Sequence, residues 1–194
     1  MVSAIIRTLQ EEHKKSPDLT RAILLFINGY MMQDQVIPTQ ELMSLFTILT
    51  RIQSFENKRF ERIREKHQAL KKRVQAKPSL AKQLIEDTRF MNTVITKQNQ
   101  IFYLSLLISR MIVEQIFESE MGDINHSELL DQLHSHLKLI VSNLDRNDQA
   151  LILLTLEVIS DIVQRAGIPK DIKSTYLSLR LKRFFDGLVY LTPY

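Results

Sequence analysis

The sequence predicts an all-α fold, a multi-helix bundle of about seven helices built around one long antiparallel helical hairpin. Three observations carry that expectation. Apolar residues recur at steps of three and four over most of the chain, the period of a helix with one buried face. Pro17, Pro38, Pro78 and Pro169 fall between those periodic runs, where a residue without an amide donor does no damage. The 194 residues also hold only four glycines and no cysteine. So little glycine argues against β-sandwiches, Rossmann folds and P-loop folds, while the missing thiols exclude disulfides, thiolate metal sites and cysteine catalysis. The length and the 44% hydrophobic share suit one all-α domain over 1–194, with a sizeable core.

A first helix is expected over 2–15, with Val2, Ile5, Ile6 and Leu9 on one side. Ser16-Pro17-Asp18 reads as an N-cap, a first-turn proline and an acid at the positive helix end. A second helix then runs to about Gln33, with Leu19, Ile23, Phe26, Ile27, Tyr30 and Met31 at helical spacing. Thr39 is expected to cap a third helix that meets no breaker until about Ala76, roughly 55 Å of rod. Its first half is densely apolar, from Leu42 to Ile52. Its second half thins to Phe60, Ile63, His67, Leu70 and Val74, whose steps of 3, 4, 3 and 4 make a heptad seam for one partner helix.

Lys77-Pro78-Ser79 makes a short reversal, and a fourth helix is expected over 79–119. Leu80, Leu84, Met91, Val94 and Ile95 form its narrow stripe before a strongly apolar run over 101–117. Two long helices joined by a tight turn lie antiparallel, so the polar halves meet at Pro78 and the apolar halves meet at the far end. The hairpin 39–119 is thus expected to project a basic tip near 56–82, with 1–38 and 122–194 packing on its apolar half.

Met121-Gly122-Asp123 ends the hairpin, and Asn125 with Glu128 resembles a capping box for a fifth helix to about Asn143. A sixth helix follows Asp145-Arg146-Asn147 and stops at Ala166-Gly167. It is apolar on most sides, which marks it as the central helix of the bundle. A seventh is expected over 169–191, where Phe184 and Phe185 read as closing the core or, beside Lys182 and Arg183, as a basic amphipathic docking helix.

The apolar run 101–117 carries Arg110 and Glu114, four apart, where a membrane span would need hydrocarbon; a buried core helix is expected there, with the two charges paired on an exposed face. The opening residues do not read as a secretory signal, and the expected location is cytoplasmic.

Charge is the most polarised feature. Between Glu56 and Lys77 stand Lys58, Arg59, Arg62, Arg64, Lys66, Lys71, Lys72, Arg73 and Lys77 against three acids, a local net of +6. The whole chain carries +4, so the remainder is slightly acidic. Lys58 with Arg62, and Arg62 with Lys66, are like charges four apart, which disfavours the helix unless a partner relieves them. The readings stand side by side: the plain solvated face of a long helix, its basic end favoured by the helix dipole, a surface for an acidic protein partner, or a phosphate-binding surface for nucleic acid. Only Phe55 and Phe60 interleave with the charges, so base stacking is poorly supported.

Other constellations are thinner. His67, inside an apolar stripe, reads as a pH switch or as a histidine with one hydrogen bond. His126, His134 and His136, with Glu128 and Asp131, form the one cluster resembling metal ligands, but His134 and His136 are two apart and diverge on a helix. Glu157 with Asp161 reads as a polar edge. No phosphate loop, G-x-S-x-G elbow or helical E-x-x-H pair occurs. The sequence therefore predicts no catalytic, cofactor or metal residues. It predicts a non-enzymatic helical interaction module, an adaptor, chaperone-like protein or assembly subunit with a protein partner. The alternative is a nucleic-acid-binding protein using Lys58, Arg59, Arg62, Lys66, Lys71, Lys72, Arg73 and Lys77.

Overall fold

The computed structural model describes residues 2–33, 37–118, 126–145 and 148–167. Among them are six α-helices and no strand: α1 (Val2–Glu12), α2 (Pro17–Met31), α3 (Thr39–Ala76), α4 (Ala81–Glu118), α5 (His126–Ile140) and α6 (Gln149–Ala166). The expected seventh helix, the Phe184-Phe185 pair, the Met121-Gly122-Asp123 turn and the Asn125 cap lie outside the described residues.

Local chemistry sets most helix ends. Ser16 Oγ accepts from the Leu19 amide at 3.2 Å, with Pro17 in the first turn. Asp148 Oδ1 caps α6 by accepting from the Leu151 amide at 3.1 Å. Gly167 ends α6 at φ 72°, a conformation that costs glycine little. Thr39 does not cap α3; it is the first helical residue. Pro38 takes the cap position, and its carbonyl receives the Glu41 and Leu42 amides at 2.9 and 3.1 Å. Lys77, held out of the helical region by the proline after it, breaks the rod, and Pro78–Leu80 winds as a 3-10 turn. That turn displaces the start of α4 from Ser79 to Ala81. Similarly, α5 stops at Ile140 because Val141–Asp145 tightens into 3-10 geometry.

Cross-links between helices fix their directions. Asp18 meets Lys97 and Arg21 meets Gln100, so α2 runs parallel to α4. Ser3 bonds Glu41 and His13 packs on Phe55, so α1 runs parallel to α3. Thr47 meets Gln132 and Thr50 meets His136, so α5 also follows α3. Asn99 bonds Asp148 and Arg110 bonds Glu157, so α6 follows α4. The bundle is therefore three antiparallel hairpins side by side: α1/α2, then α3/α4, then α5/α6.

The central helix is α4, not α6. It packs on α2, α3 and α6, and Ile101, Phe102, Leu106, Ile108 and Ile112 are fully enclosed. Ser105 and Ser109, one turn apart, are equally buried, and Ser109 Oγ satisfies itself on the Ser105 carbonyl at 2.7 Å. α6 lies on one side of α4 and leaves Leu153 51% exposed, so an apolar circumference did not make it central. An 18-residue window within Pro78–Glu118 reaches a mean hydropathy of 1.3, enough to cross a membrane by length and composition; 56% of it is buried inside this fold. Arg110 sits on the rim of that stretch and collects Glu114 at 3.2 Å, Glu157 at 2.6 Å and Asp161 at 3.2 Å, tying α4 to α6.

Burial stops abruptly along the central hairpin. The last buried residue of α3 is Glu56 and the first of α4 is Val94; none between 57 and 93 is buried. Phe60, Ile63, His67, Leu70 and Val74 are half-buried against α4, as a one-residue-wide seam requires. Beyond the bundle the hairpin thus continues as a two-helix arm about 30 Å long.

Truncations should report this boundary. Leu49→Ala, in the enclosed part of α3, should cost about 3–4 kcal/mol of unfolding free energy. Val74→Ala, in the arm, should cost about 1 kcal/mol or less. Urea melts of the two variants, monitored by far-UV circular dichroism, check the contrast.

Candidate functional site

The arm carries the basic cluster, and the structure divides it in two. Lys58, Arg59, Arg62 and Lys66 follow one face of α3 at helical steps and line a groove of about 430 Å³ between α3 and α4. Phe55, Ile63 and Phe90 supply its apolar surface, and Phe90 is 62% exposed. Lys71, Lys72, Arg73 and Lys77 lie nearer the Pro78 turn, are exposed, and do not line this groove.

Two cations of the segment are matched locally, Arg59 with Glu56 at 3.6 Å and Arg64 with Glu61 at 3.5 Å. Lys58, Arg62, Lys66, Lys71, Lys72, Arg73 and Lys77 make no ion pair among the described residues. The repulsion along Lys58, Arg62 and Lys66, about 0.2–0.5 kcal/mol per pair, therefore has no internal compensation.

Sequence reasoning missed the acid in this groove. Asp87 Oδ2 stands 2.7 Å from His67 Nδ1 across the seam. The signal was the gap in the α4 stripe: Leu84 and Met91 are seven apart, and Asp87 occupies the intervening heptad position, opposite the one polar residue of the α3 stripe. His67 thus has one cross-helix hydrogen bond. Phe90 was also missed, because it lies off the stripe and is exposed.

A polar collar marks where the arm leaves the bundle. Glu56, 1% exposed, accepts from Gln98 Nε2 at 2.8 Å, and the same amide reaches the Glu56 carbonyl at 3.3 Å. Beside it His13 Nδ1 faces the Leu9 and Gln10 carbonyls, both at 3.1 Å, and its ring meets Phe55 edge-on at 5.8 Å. Both side-chain atoms of Gln53 are buried without a partner among the described residues.

A second concavity, about 600 Å³, opens between α3 and α5 and is lined by polar side chains such as Thr47, Arg51, Asp131 and Ser135. The histidines of α5 do not converge on it. His134 Nε2 is 3.0 Å from the Ala166 carbonyl at the end of α6. His136 is fully buried, its ring 4.7 Å from that of Phe46. No group of three histidine, aspartate or glutamate side chains placed to hold a metal ion occurs among the described residues; the His126 side chain lies outside them. Glu157 and Asp161 are the acids that hold Arg110.

Thr50 Oγ1 lies 3.0 Å from the Phe46 carbonyl and 3.1 Å from His136 Nδ1. Nε2 of the same ring is buried without a partner among the described residues. Burial pulls the ring down from 6.5 to about 3. The unfolded chain binds a proton between those values that the native state refuses. The associated stability is complete above pH 6.5 and declines as pH falls toward 3. Between pH 6 and pH 4 the wild-type chain should lose roughly 1 kcal/mol per pH unit more than His136→Leu, in urea melts run on both across that range. Equal slopes would contradict the assignment.

No protein-family model, no curated protein and no solved structure matches this chain.

Proposed function

We propose that this chain is a non-enzymatic helical interaction module, an adaptor or assembly subunit that engages a protein partner through its arm. The observation that carries this reading is the arm itself. A long stretch of two helices is held out of the core, and most of its cations have no mate within the described residues. A helix surface kept charged at a cost to its own stability is readily explained by a partner that supplies the opposite charge. A second surface supports the reading. Leu19 and Phe26 are seven apart on α2, as are Leu25 and the C-cap residue Met32, and all four are exposed, which makes an apolar face of the kind found at protein contacts.

Binding to nucleic acid through Lys58, Arg59, Arg62, Lys66, Lys71, Lys72, Arg73 and Lys77 is the second reading, favoured by the unmatched cations alone. Salt separates the two. Phosphate binding loses affinity in proportion to the contacts made, by about tenfold or more between 50 and 200 mM salt for several contacts. A protein interface with an apolar centre depends on salt far less.

The test is purification of the tagged full-length chain from its source cells, followed by reconstitution with whatever copurifies at fixed stoichiometry. The triple variant Lys58→Glu, Arg62→Glu, Lys66→Glu alters exposed residues and should keep the wild-type thermal midpoint. It should bind the reconstituted partner at least ~10-fold more weakly. A chain that elutes alone, or a partner indifferent to the triple variant and to reversals at the tip, would overturn the reading.

A further inference from the structure

We infer that the groove bounded by Phe55, Ile63 and Phe90 receives an acidic amphipathic helix of a protein partner, its apolar side chains on Phe90 and its carboxylates on Lys58, Arg62 and Lys66. This rests on the interaction-module reading and names the chemistry of its partner.

Shape comes first. Two antiparallel helices packed through a narrow seam leave a furrow along their flank, and the ridge of a third helix fits such a furrow. From Phe55 to Lys66 the α3 wall rises through three turns, about 17 Å, so a helix of about three turns covers it. Composition comes second. The furrow has an apolar strip with a cationic edge, the pattern of a desolvated anchor inside a charged rim. Phe90, at 62% exposure, is the anchor the arm presents and does not use for its own packing.

Charge selects the occupant. The one acid lining the groove, Asp87, is already engaged by His67 at 2.7 Å. Arg62, Lys58 and Lys66 are unmatched among the described residues. A second copy of this arm would bring like charge against like. The segment 168–194, outside the described residues, holds five basic and two acidic side chains, a net of +3, and is repelled as well. An acidic helix from another protein complements the groove. A nucleic acid matches the cations but has no use for the recessed apolar strip, and one exposed aromatic ring does not make a stacking platform.

The experiment uses the full-length chain and fluorescence anisotropy. The probe is a labelled helical peptide of about four turns, with leucines at the a and d positions of a heptad and glutamates elsewhere. Its control has the same composition, shuffled so that the leucines share no face. The patterned peptide should bind at least ~10-fold more tightly than the shuffled one. Phe90→Ala should weaken it by ~10-fold and Arg62→Glu by at least as much, while Lys72→Glu with Arg73→Glu at the tip should change it less than ~2-fold. Phe90 and Arg62 are exposed, so circular dichroism spectra of the variants should superimpose on the wild type. Equal binding of both peptides, binding of a DNA duplex that ignores Phe90→Ala and tracks every reversal alike, or no binding of the patterned peptide would each overturn the assignment. The module reading fails separately. A native partner released by tip reversals but not by Phe90→Ala with Arg62→Glu removes the groove and leaves the module.

Discussion

The width of the apolar face along two unbroken helices governs this structure. α3 and α4 are equally long, each 38 residues, and Pro78 folds them back on each other. Where the apolar face of α4 spreads around its circumference, from Ile101 to Ile116, it recruits α2 on one flank and α6 on another. Where it narrows to a single stripe it can hold only α3. The same backbone therefore passes from core to arm without a break, and the change is one of side-chain chemistry. Hydrophobic burial of roughly 25 cal/mol per Å² favours the three-hairpin bundle wherever several faces are apolar, and leaves a solvated pair where one is.

The transition is made with polar residues instead of a gradual loss of apolar ones. Glu56 and Gln98 bridge α3 and α4 inside the fold, and His13, just past the end of α1, packs on Phe55, the residue before Glu56. Such groups are stable in a dry site only when bonded, so each restricts how the helices can slide past one another. Gln53 leaves both amide atoms unbonded among the described residues, and a polar site of this kind is where an ordered water is expected. This collar fixes the register from which the arm extends. Register decides which side chains reach the groove, since a slip of one residue would carry Arg62 and Lys66 away from Phe90.

Much of the architecture was legible because apolar spacing and punctuation agree in this chain. Pro17, Pro78 and Gly167 act where their chemistry says they should, and the stripe through Phe60 and Val74 was read correctly as a one-partner seam. What failed has a physical reason. Apolar circumference marked the sixth helix as central, but centrality is a property of neighbours, and α4 hides its own behind polar residues such as Ser105 and Ser109 that spacing rules discount. Thr39 looked like a cap because its type favours that role, whereas Pro38 supplies the carbonyl that starts the helix. The basic cluster was visible as composition. Its division into a groove and a tip was not, because the groove depends on Phe90 and Asp87, which belong to the opposite helix and break no pattern of their own.

The central claim is that residues 57–93 stand apart from the core and are stabilised by each other alone. Native-state amide hydrogen exchange tests it most directly. The account predicts that amides of the arm exchange through local openings, at least ~10²-fold faster than those of 42–52 and 101–116, whose exchange should need global unfolding. Uniform protection along both long helices, from the bundle to the Pro78 turn, would contradict it.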